Sequence, residues 1–560
     1  MSFLDHSKNY YSSLFLTKLD ALSRTILNIP KNLPLIFDDN NNKIRAEFNS
    51  FLNDFCEKKP GNQIFDSGSI LVDGMWDNIG HWTRYCLIRK SLGLQSLKEI
   101  GLVGTWNKKK IKKTFKSLKI YDFYEFKLHG INNQIRKEAY QIVKKFSSPN
   151  DIIQYTWPEN VPGSLIYDHL LLKQRKSVLD IKHYKFIDQV SYIINSFKES
   201  KKILSENNIK LLFLSHLFPA QYLALISTAI SMKIPVVVAH STLGSLRLIR
   251  MNSMNDYLHY SNTPSKKYWN FSLEHKHQQF KNVGKSYLHK RLKGMGEDLG
   301  SQLAFSSNKK IYKNQIIKLY NWDKAKPIIG IYSSQWFDTP HAHGMKNFRD
   351  FDDWIRLTIK TLKNNVDANF LIKPHPVEKW YGGLRLKNIF PDIIAKNIRI
   401  AEENLNSYNF GKIIDAAITP HGTIGIELTY QGKPVLCADR SFYSDYEFTI
   451  NSNTRDDYVK KLQTKWWSNF EAKEFQNRCC VFAGWMYGIP DWQKNFLLPD
   501  DSNKDDNCQQ IKSVFQNNSI AIDKELQLIR HWFKSEEKVY HPYKLKKSKK
   551  IIDIISARIQ

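Results

Sequence analysis

DAAITPHGTIGIELTYQGKPVLCADR, Asp415 to Arg440, compresses a strand, a turn, a helix and a second strand into one stretch. Ala416 to Thr419 is a short apolar run, and Pro420-His421-Gly422 is a turn. Thr423 to Gln431 has helical spacing, Gly432 is a stop signal, and Pro434 to Cys437 is again apolar. This is a βαβ unit with almost no spare loop. Its helix starts just beyond the carboxyl end of the first strand, so the unpaired N–H groups face the crevice where open α/β sheets bind ligands. Gly422 permits close backbone approach, and the Thr423 hydroxyl is a donor for an anionic oxygen. Glu427, one turn deeper on the same face, is placed to accept from a ribose diol. Taken alone, Thr423 reads equally well as a helix cap and Glu427 as a solvated helix residue.

A second stretch changes the balance. Asn369 to Lys373 (NFLIK) is a short apolar run that ends in Lys373-Pro374-His375-Pro376. The prolines hold His375 extended at the carboxyl end of that strand, which brings an imidazole and an ammonium to the same crevice.

KPHP followed by D-A-A-I-T-P-H-G-T-x-G-x-E-L-x-x-x-G-K-P-V-L resembles the nucleotide-sugar half of the GT-B glycosyltransferases that build bacterial capsules and other surface polysaccharides. That group includes the Kdo transferases and is similar to the sialyl- and polysialyltransferases. The close match runs from about Pro327 to Tyr446, with a looser likeness over Ser69 to Leu258. The resemblance implies an α/β protein of GT-B type, with two Rossmann-like domains facing a cleft, an N-terminal helical extension and a C-terminal helical tail. It implies that His375 and Thr423 hold the donor phosphate and that Glu427 holds the nucleoside. This chain has His421-Gly422-Thr423 where many of these enzymes carry a Ser-Thr pair.

The remaining residues are read on that frame. Residues 1–66 are expected to form the helical extension, 67–260 a Rossmann-like acceptor domain and 261–326 a helical linker. Residues 327–450 are expected to form the nucleotide-sugar domain, and 451–560 a helical tail that crosses back. In the first domain, strand Ser69 to Val72 leads into Asp73-Gly74-Met75-Trp76-Asp77-Asn78-Ile79-Gly80-His81 and a helix from about Trp82. By resemblance this loop faces the acceptor, which makes Asp73, Asp77 and His81 candidates for acceptor contact or proton abstraction. Asp77 or Asn78 reads equally well as a helix cap. The spacing is no G-x-G-x-x-G fingerprint, so no dinucleotide cofactor is expected. The unit Ile209 to His240 continues this sheet, with His216 and His240 at strand ends. Polar helical sequence follows, in which His275 and His277 are two apart and would not share a helix face.

The second domain opens with strand Ile328 to Tyr332 and a polar loop to Gly344. Ser333 and Ser334 are candidates for phosphate binding, and Asp338, His341 or His343 for acid, base or clamp. Asp350-Phe351-Asp352 matches the D-x-D with which GT-A enzymes hold a metal-bound nucleotide, but it precedes an amphipathic run and reads better as a helix cap. Ala438 to Tyr446 is a segment able to close over the nucleotide, with Arg440 as a phosphate partner. Asp500 to Asn507 reads as a solvated loop.

The chain has 560 residues, 42% of them hydrophobic, enough for two large domains. Its formal charge of +29 comes from 83 basic and 54 acidic residues. The lysines are spread along the chain, which argues against a nucleic-acid arm. The runs Lys108-Lys109-Lys110 with Lys112-Lys113, and Lys544 to Lys550, suit contact with anionic lipid or glycan instead. Six cysteines without a C-x-x-C pattern suggest a reducing cytoplasm and no zinc site. No signal peptide or membrane span is evident.

The expected protein is a cytoplasmic glycosyltransferase, peripheral on the inner face of the membrane, without cofactor or metal. It takes a nucleotide-sugar donor (CMP-Kdo-like or UDP-linked) and a polysaccharide or glycolipid acceptor. The competing readings are a sugar-nucleotide epimerase of the same fold, a CDP-polyol phosphotransferase, and a non-catalytic basic protein that binds glycan or nucleic acid.

Overall fold

A computed structural model of the chain describes residues 39–58, 63–75, 77–104, 108–128, 130–239, 246–258, 263, 266–295, 305, 311–376, 378, 385–390, 395–402, 405–488 and 505–540. Trp76, His240 and the Lys544 to Lys550 run lie outside the described residues.

Two sheets organise these residues. The first contains β1 (Ser69–Asp73), β2 (Lys98–Val103), β3 (Asp122–Glu125), β4 (Ile209–Leu214), β5 (Val236–Ala239) and β6 (Leu248–Met251). The second contains β7 (Ile328–Tyr332), β8 (Asn369–Lys373), β9 (Ile398–Ile400), β10 (Ala416–Thr419), β11 (Val435–Cys437) and β12 (Ile450–Asn451). A last strand, β13 (Val539–Tyr540), returns to the first sheet.

The strand orders are β13-β6-β5-β4-β1-β2-β3 and β12-β11-β10-β7-β8-β9. All pairs in the second sheet are parallel. In the first, β3-β2-β1-β4-β5 is parallel and β6 and β13 are antiparallel. Parallel strands buried on both faces read as unbroken apolar runs, and every residue of β1, β7 and β8 is buried accordingly. The order reverses at β1, between β2 and β4, and at β7, between β8 and β10. Such reversals leave a crevice at the carboxyl ends of the strands, and each unit has one.

Helix Ile79–Leu92 is buried along its whole length. The Asn78 side chain accepts from the His81 N–H at 3.1 Å to start it, and Gly93 at φ 65° ends it. Two helices distant in sequence cover it. Asp39–Glu57 contributes Phe48, Leu52 and Cys56 to the shared core, and Ser519–Lys534 contributes Ile522, Leu526 and Ile529. Two polar groups caught beneath them have partners: Arg89 meets Glu99 at 2.8 Å, and Lys90 donates to the Phe55 carbonyl at 2.8 Å.

The last part of the chain serves both units. Helix Ala472–Tyr487 joins the core of the second sheet, whereas Asp505–Asn517, Ser519–Lys534 and β13 pack on the first. Helices His277–Leu292 and Ala472–Tyr487 cross at Gly284 and Gly484. A Cβ added at either would meet the opposing backbone oxygen, Cys480 at 1.9 Å or Phe280 at 1.8 Å.

His275 and His277 lie in successive helices, Lys266–His275 and His277–Leu292. One local expectation is corrected. Asp505 to Asn507 open helix Asp505–Asn517 rather than forming loop, because acidic residues favour a helix start.

Candidate functional site

The second crevice is built from the segments that follow β7, β8 and β10. Ser333 directs both its N–H and its hydroxyl to the Lys373 carbonyl, at 3.1 and 3.0 Å, and so ties β7 to β8. Ser334 beside it is half-buried. The Lys373 ammonium donates to the Leu405 carbonyl at 2.8 Å and lies over the Phe410 ring. It is 3% exposed, and burial lowers its pKa to about 8. Its charge is therefore held inside the domain.

His375 emerges just beyond. Burial pulls its imidazole down to about 4, opposed by the nearby Asp338 carboxylate and aided by Lys373. Asp338 itself is exposed. Two residues read separately from sequence, Asp338 after β7 and His375 after β8, are thus neighbours.

The turn after β10 is shaped by its own residues. The Gly422 N–H donates to Thr419 Oγ1 at 3.2 Å, and the Tyr443 hydroxyl donates to the Gly422 carbonyl at 2.6 Å. A Cβ on Gly425 would sit 2.1 Å from that Tyr443 oxygen, so only glycine leaves room for the ring. Thr423 occupies the helix cap position but its side chain makes no capping bond, and the residue is exposed. Helix Ile424–Tyr430 spans 7 residues, shorter at both ends than expected. His421 packs at 5.4 Å from Phe351 and 6.2 Å from His343. Burial, with His343 and His341 adding repulsion, holds it near 3, so its imidazole is neutral.

Glu427 is 3% exposed and pairs with Arg291 of helix His277–Leu292 at 2.6 Å. Among the described residues its second oxygen accepts no hydrogen bond. Arg440 is exposed and pairs with Asp445 at 2.5 Å. Next to it the buried Asp439 carboxylate accepts the N–H groups of Lys346, Asn347 and Arg440, at 2.8, 2.6 and 2.8 Å. That carboxylate fastens the long loop after β7 to the end of β11.

In the first crevice Asp73 is fully buried. It accepts the Met75 N–H at 2.7 Å, the Ser215 N–H at 3.0 Å and the Ser215 hydroxyl. It therefore clamps β1 to β4 where the strand order reverses. His216 Nδ1 lies 2.7 Å from the same Ser215 hydroxyl. His81 Nε2 donates to the Asp73 carbonyl at 2.8 Å while burial lowers its pKa, so it is a neutral support for the loop. For Asp77, burial pushes the carboxyl up. Arg45 at 2.8 Å, Lys110 at 3.4 Å and the Trp82 N–H at 2.9 Å outweigh that and hold it below the usual range.

The two crevices face one another. The Phe218 ring, after β4, lies 6.4 Å from His343, after β7. Tyr167 of helix Gly163–Gln174 donates its hydroxyl to Asp350 at 2.5 Å, and Asp168 of that helix meets His341 at 2.7 Å and the Ala342 N–H at 2.9 Å. Asp350 also caps helix Phe351–Leu362 through the Asp353 N–H at 2.8 Å, the role expected for the D-x-D aspartate. The architecture is α/β of GT-B type, two Rossmann-like units across a cleft. Among the described residues no group of three or more His, Cys, Asp and Glu side chains suits a metal ion.

Sequence reading missed Asp168, Asp439, Arg291 and Ser215. Only Asp168 left a visible signal, as the acid in the run LIYDHLLL, in which His169 is the other polar residue.

No family model and no curated protein matches this chain. Solved structures that it resembles include the UDP-GlcNAc 2-epimerase of Neisseria meningitidis bound to UDP-GlcNAc. That likeness has 11% identity over 80% of this chain and 100% of the other, at a TM-score of 0.21. The Thermosulfurimonas dismutans KpsC β-Kdo 2,4-transferase gives 11% identity over 50% of this chain and 79% of the other, at 0.31. The β-Kdo 2,7-transferase of the same organism gives 14% identity, 52% and 85% coverage, and 0.24. Likeness of this degree carries no inference about chemistry.

Proposed function

We propose that this chain is a glycosyltransferase that moves a sugar from a nucleotide-linked donor to a surface or capsular polysaccharide. The second unit takes the donor and the first takes the acceptor. One observation supports the reading: two strand-order reversals face each other, and the second has an exposed Thr423 after β10 and a neighbouring Asp338 and His375 after β7 and β8.

Thr423, His421, Gly422 and Ser334 line the phosphate end of the donor. Neutral His375 offers a hydrogen bond there, with Asp338 orienting it. Ser333 and Lys373 support from behind, Ser333 by tying the strands and Lys373 by holding positive potential beneath the imidazole. Glu427 takes the ribose diol on the oxygen that Arg291 leaves open, and Arg440 exchanges Asp445 for a phosphate oxygen at the rim. On the acceptor side Asp73 and His81 shape the loop, and Asp77 stands at its edge among cations. The leaving group is a nucleotide phosphate, so catalysis depends on fixed donors aimed where negative charge develops. The exposed Lys109, Lys113 and Lys116, on one face of helix Lys108–Ser117, would bring the acceptor side to an anionic surface. None of the described helices is long and apolar enough to cross a membrane.

The test is thermal stabilisation of the purified protein by CMP, CDP, UDP, GDP and ADP, in wild type and in His375→Ala and Glu427→Gln. A ligand bound only by the folded state raises the melting temperature. One nucleotide is expected to do so, with the shift lost in both variants; no shift with any of the five overturns the reading. Donor hydrolysis that accelerates on adding glycan separates transfer from epimerisation.

A further inference from the structure

We infer that Asp168 and His341 are the proton-accepting pair of this cleft, His341 Nε2 receiving the proton of the acceptor hydroxyl and Asp168 positioning the ring. The inference rests on the glycosyl-transfer reading above and names the base that reading leaves open.

The geometry is specific. Asp168 is 0% exposed and His341 8%. One carboxylate oxygen lies 2.7 Å from His341 Nδ1, and the other accepts the Ala342 N–H at 2.9 Å. Both oxygens are thereby fixed, and so is the ring relative to its own backbone. A carboxylate on Nδ1 requires the proton of the neutral imidazole to be on that nitrogen, which leaves the lone pair on Nε2. Among the described residues Nε2 has no hydrogen-bond partner. The Tyr167 ring stands edge-on to the imidazole at 5.8 Å, itself anchored through Asp350. His341 follows β7 and is close enough to His421, after β10, for their charges to interact. His341 and the turn after β10 therefore border the same cleft.

Four of the other candidates are otherwise engaged or too weak a base, and the exposed Asp338 and His343 carry no carboxylate-fixed imidazole of this kind. Asp73 is consumed by Ser215 and Met75, and Asp77 is neutralised by two cations. His375 and His421 are too weakly basic. A plain fastening between the units already exists one residue away, Tyr167 on Asp350 with Arg349 at 2.8 Å, so a second fastening explains neither the imidazole nor its fixed tautomer.

In the step, the acceptor oxygen forms a bond to the anomeric carbon, and the bond from that carbon to the phosphate oxygen breaks, its electron pair leaving with the nucleotide. The acceptor proton passes to His341 Nε2, the Asp168 carboxylate stabilises the imidazolium, and the proton is then lost to solvent. The two members of the pair come from different units, so the base exists only while the units are together.

The experiment uses the full chain and the nucleotide that stabilises it. The sugar nucleotide carrying that base, from CMP-Kdo, CMP-N-acetylneuraminate and UDP-GlcNAc, is supplied with water as acceptor, and release of free nucleotide is followed. His341→Ala is expected to lower kcat by ~10²–10⁴-fold with KM and the nucleotide-induced melting shift unchanged, and added imidazole to restore part of the rate. Asp168→Asn, which keeps the shape, is expected to lower kcat by up to ~10⁴-fold without imidazole rescue. The double variant should be no slower than His341→Ala, since the two act as one unit. Wild-type kcat in His341→Ala overturns the pair. So does a loss that imidazole does not restore and that accompanies a lower melting temperature without ligand, which marks a structural fastening. A wild type that binds the nucleotide yet releases none from its sugar also overturns it. No nucleotide shift in wild type means that the donor reading itself has failed, and the pair fails with it.

Discussion

Glu525 is buried against the first unit, and its carboxyl is pushed up to about 7 by burial, although the Tyr540 hydroxyl bonded to it opposes the shift. The folded state therefore keeps this proton at pH values where the unfolded chain, at 4.5, has lost it. The stability it contributes is complete below the unfolded value and is lost as pH rises through the folded one, roughly 3 kcal/mol in all. Glu525→Gln removes that dependence. Its melting temperature should match the wild type near pH 4.5 and exceed it at pH 8, and equal melting at both would refute the assignment. Residue-scale facts of this kind are poorly legible in sequence. The position of Thr423 and His375 just past strand ends was legible, because a glycine-containing turn and a Pro-His-Pro mark those ends. The direction of the Lys373 ammonium was not, because a parallel strand covered on both faces gives no alternation to show which way its last side chain turns. Arg291 was hidden in a polar helix with nothing to mark it as the partner of Glu427.

At the scale of elements, strands and their ends were the most readable part of the chain: β7, β8 and β10 have the bounds their apolar runs predict. Helix partners were less readable. Helix Ile79–Leu92 shows no polar stripe in sequence, and the cause is the pair of helices that sandwich it from opposite ends of the chain. The crossing of His277–Leu292 with Ala472–Tyr487 is similar, since Gly284 lies in a stretch that reads only as a polar bridge. At that crossing backbone meets backbone, so no side chain can turn aside to accept a methyl group. Gly284→Ala and Gly484→Ala should each force the helices apart and cost about 1–3 kcal/mol. Calorimetry of each variant measures this, and an unchanged melting temperature would show that the helices are not so close.

For the whole molecule, the resemblance pointed to two α/β units, and the structure has them. A tail crossing back was expected, but not which strand and side chains it brings to the first unit. Its sheet ends at β13 and its core contains Ile511, Phe515, Ile529 and Trp532, all from the final stretch. Ending the chain after Gly488 should therefore leave the second unit's core intact while the first exposes the face of helix Ile79–Leu92. Binding of a hydrophobic dye by such a truncation, compared with the full chain, reads this directly, and equal binding would count against it.

The same closure of the first unit by the last helices sets an order of events at the ribosome. The first unit cannot finish until residues 505–540, which follow the second unit in the chain, have emerged, whereas the second unit can condense on its own in the interval. Throughout that interval an apolar helix face waits uncovered, so a chaperone is expected to serve the first unit rather than the second.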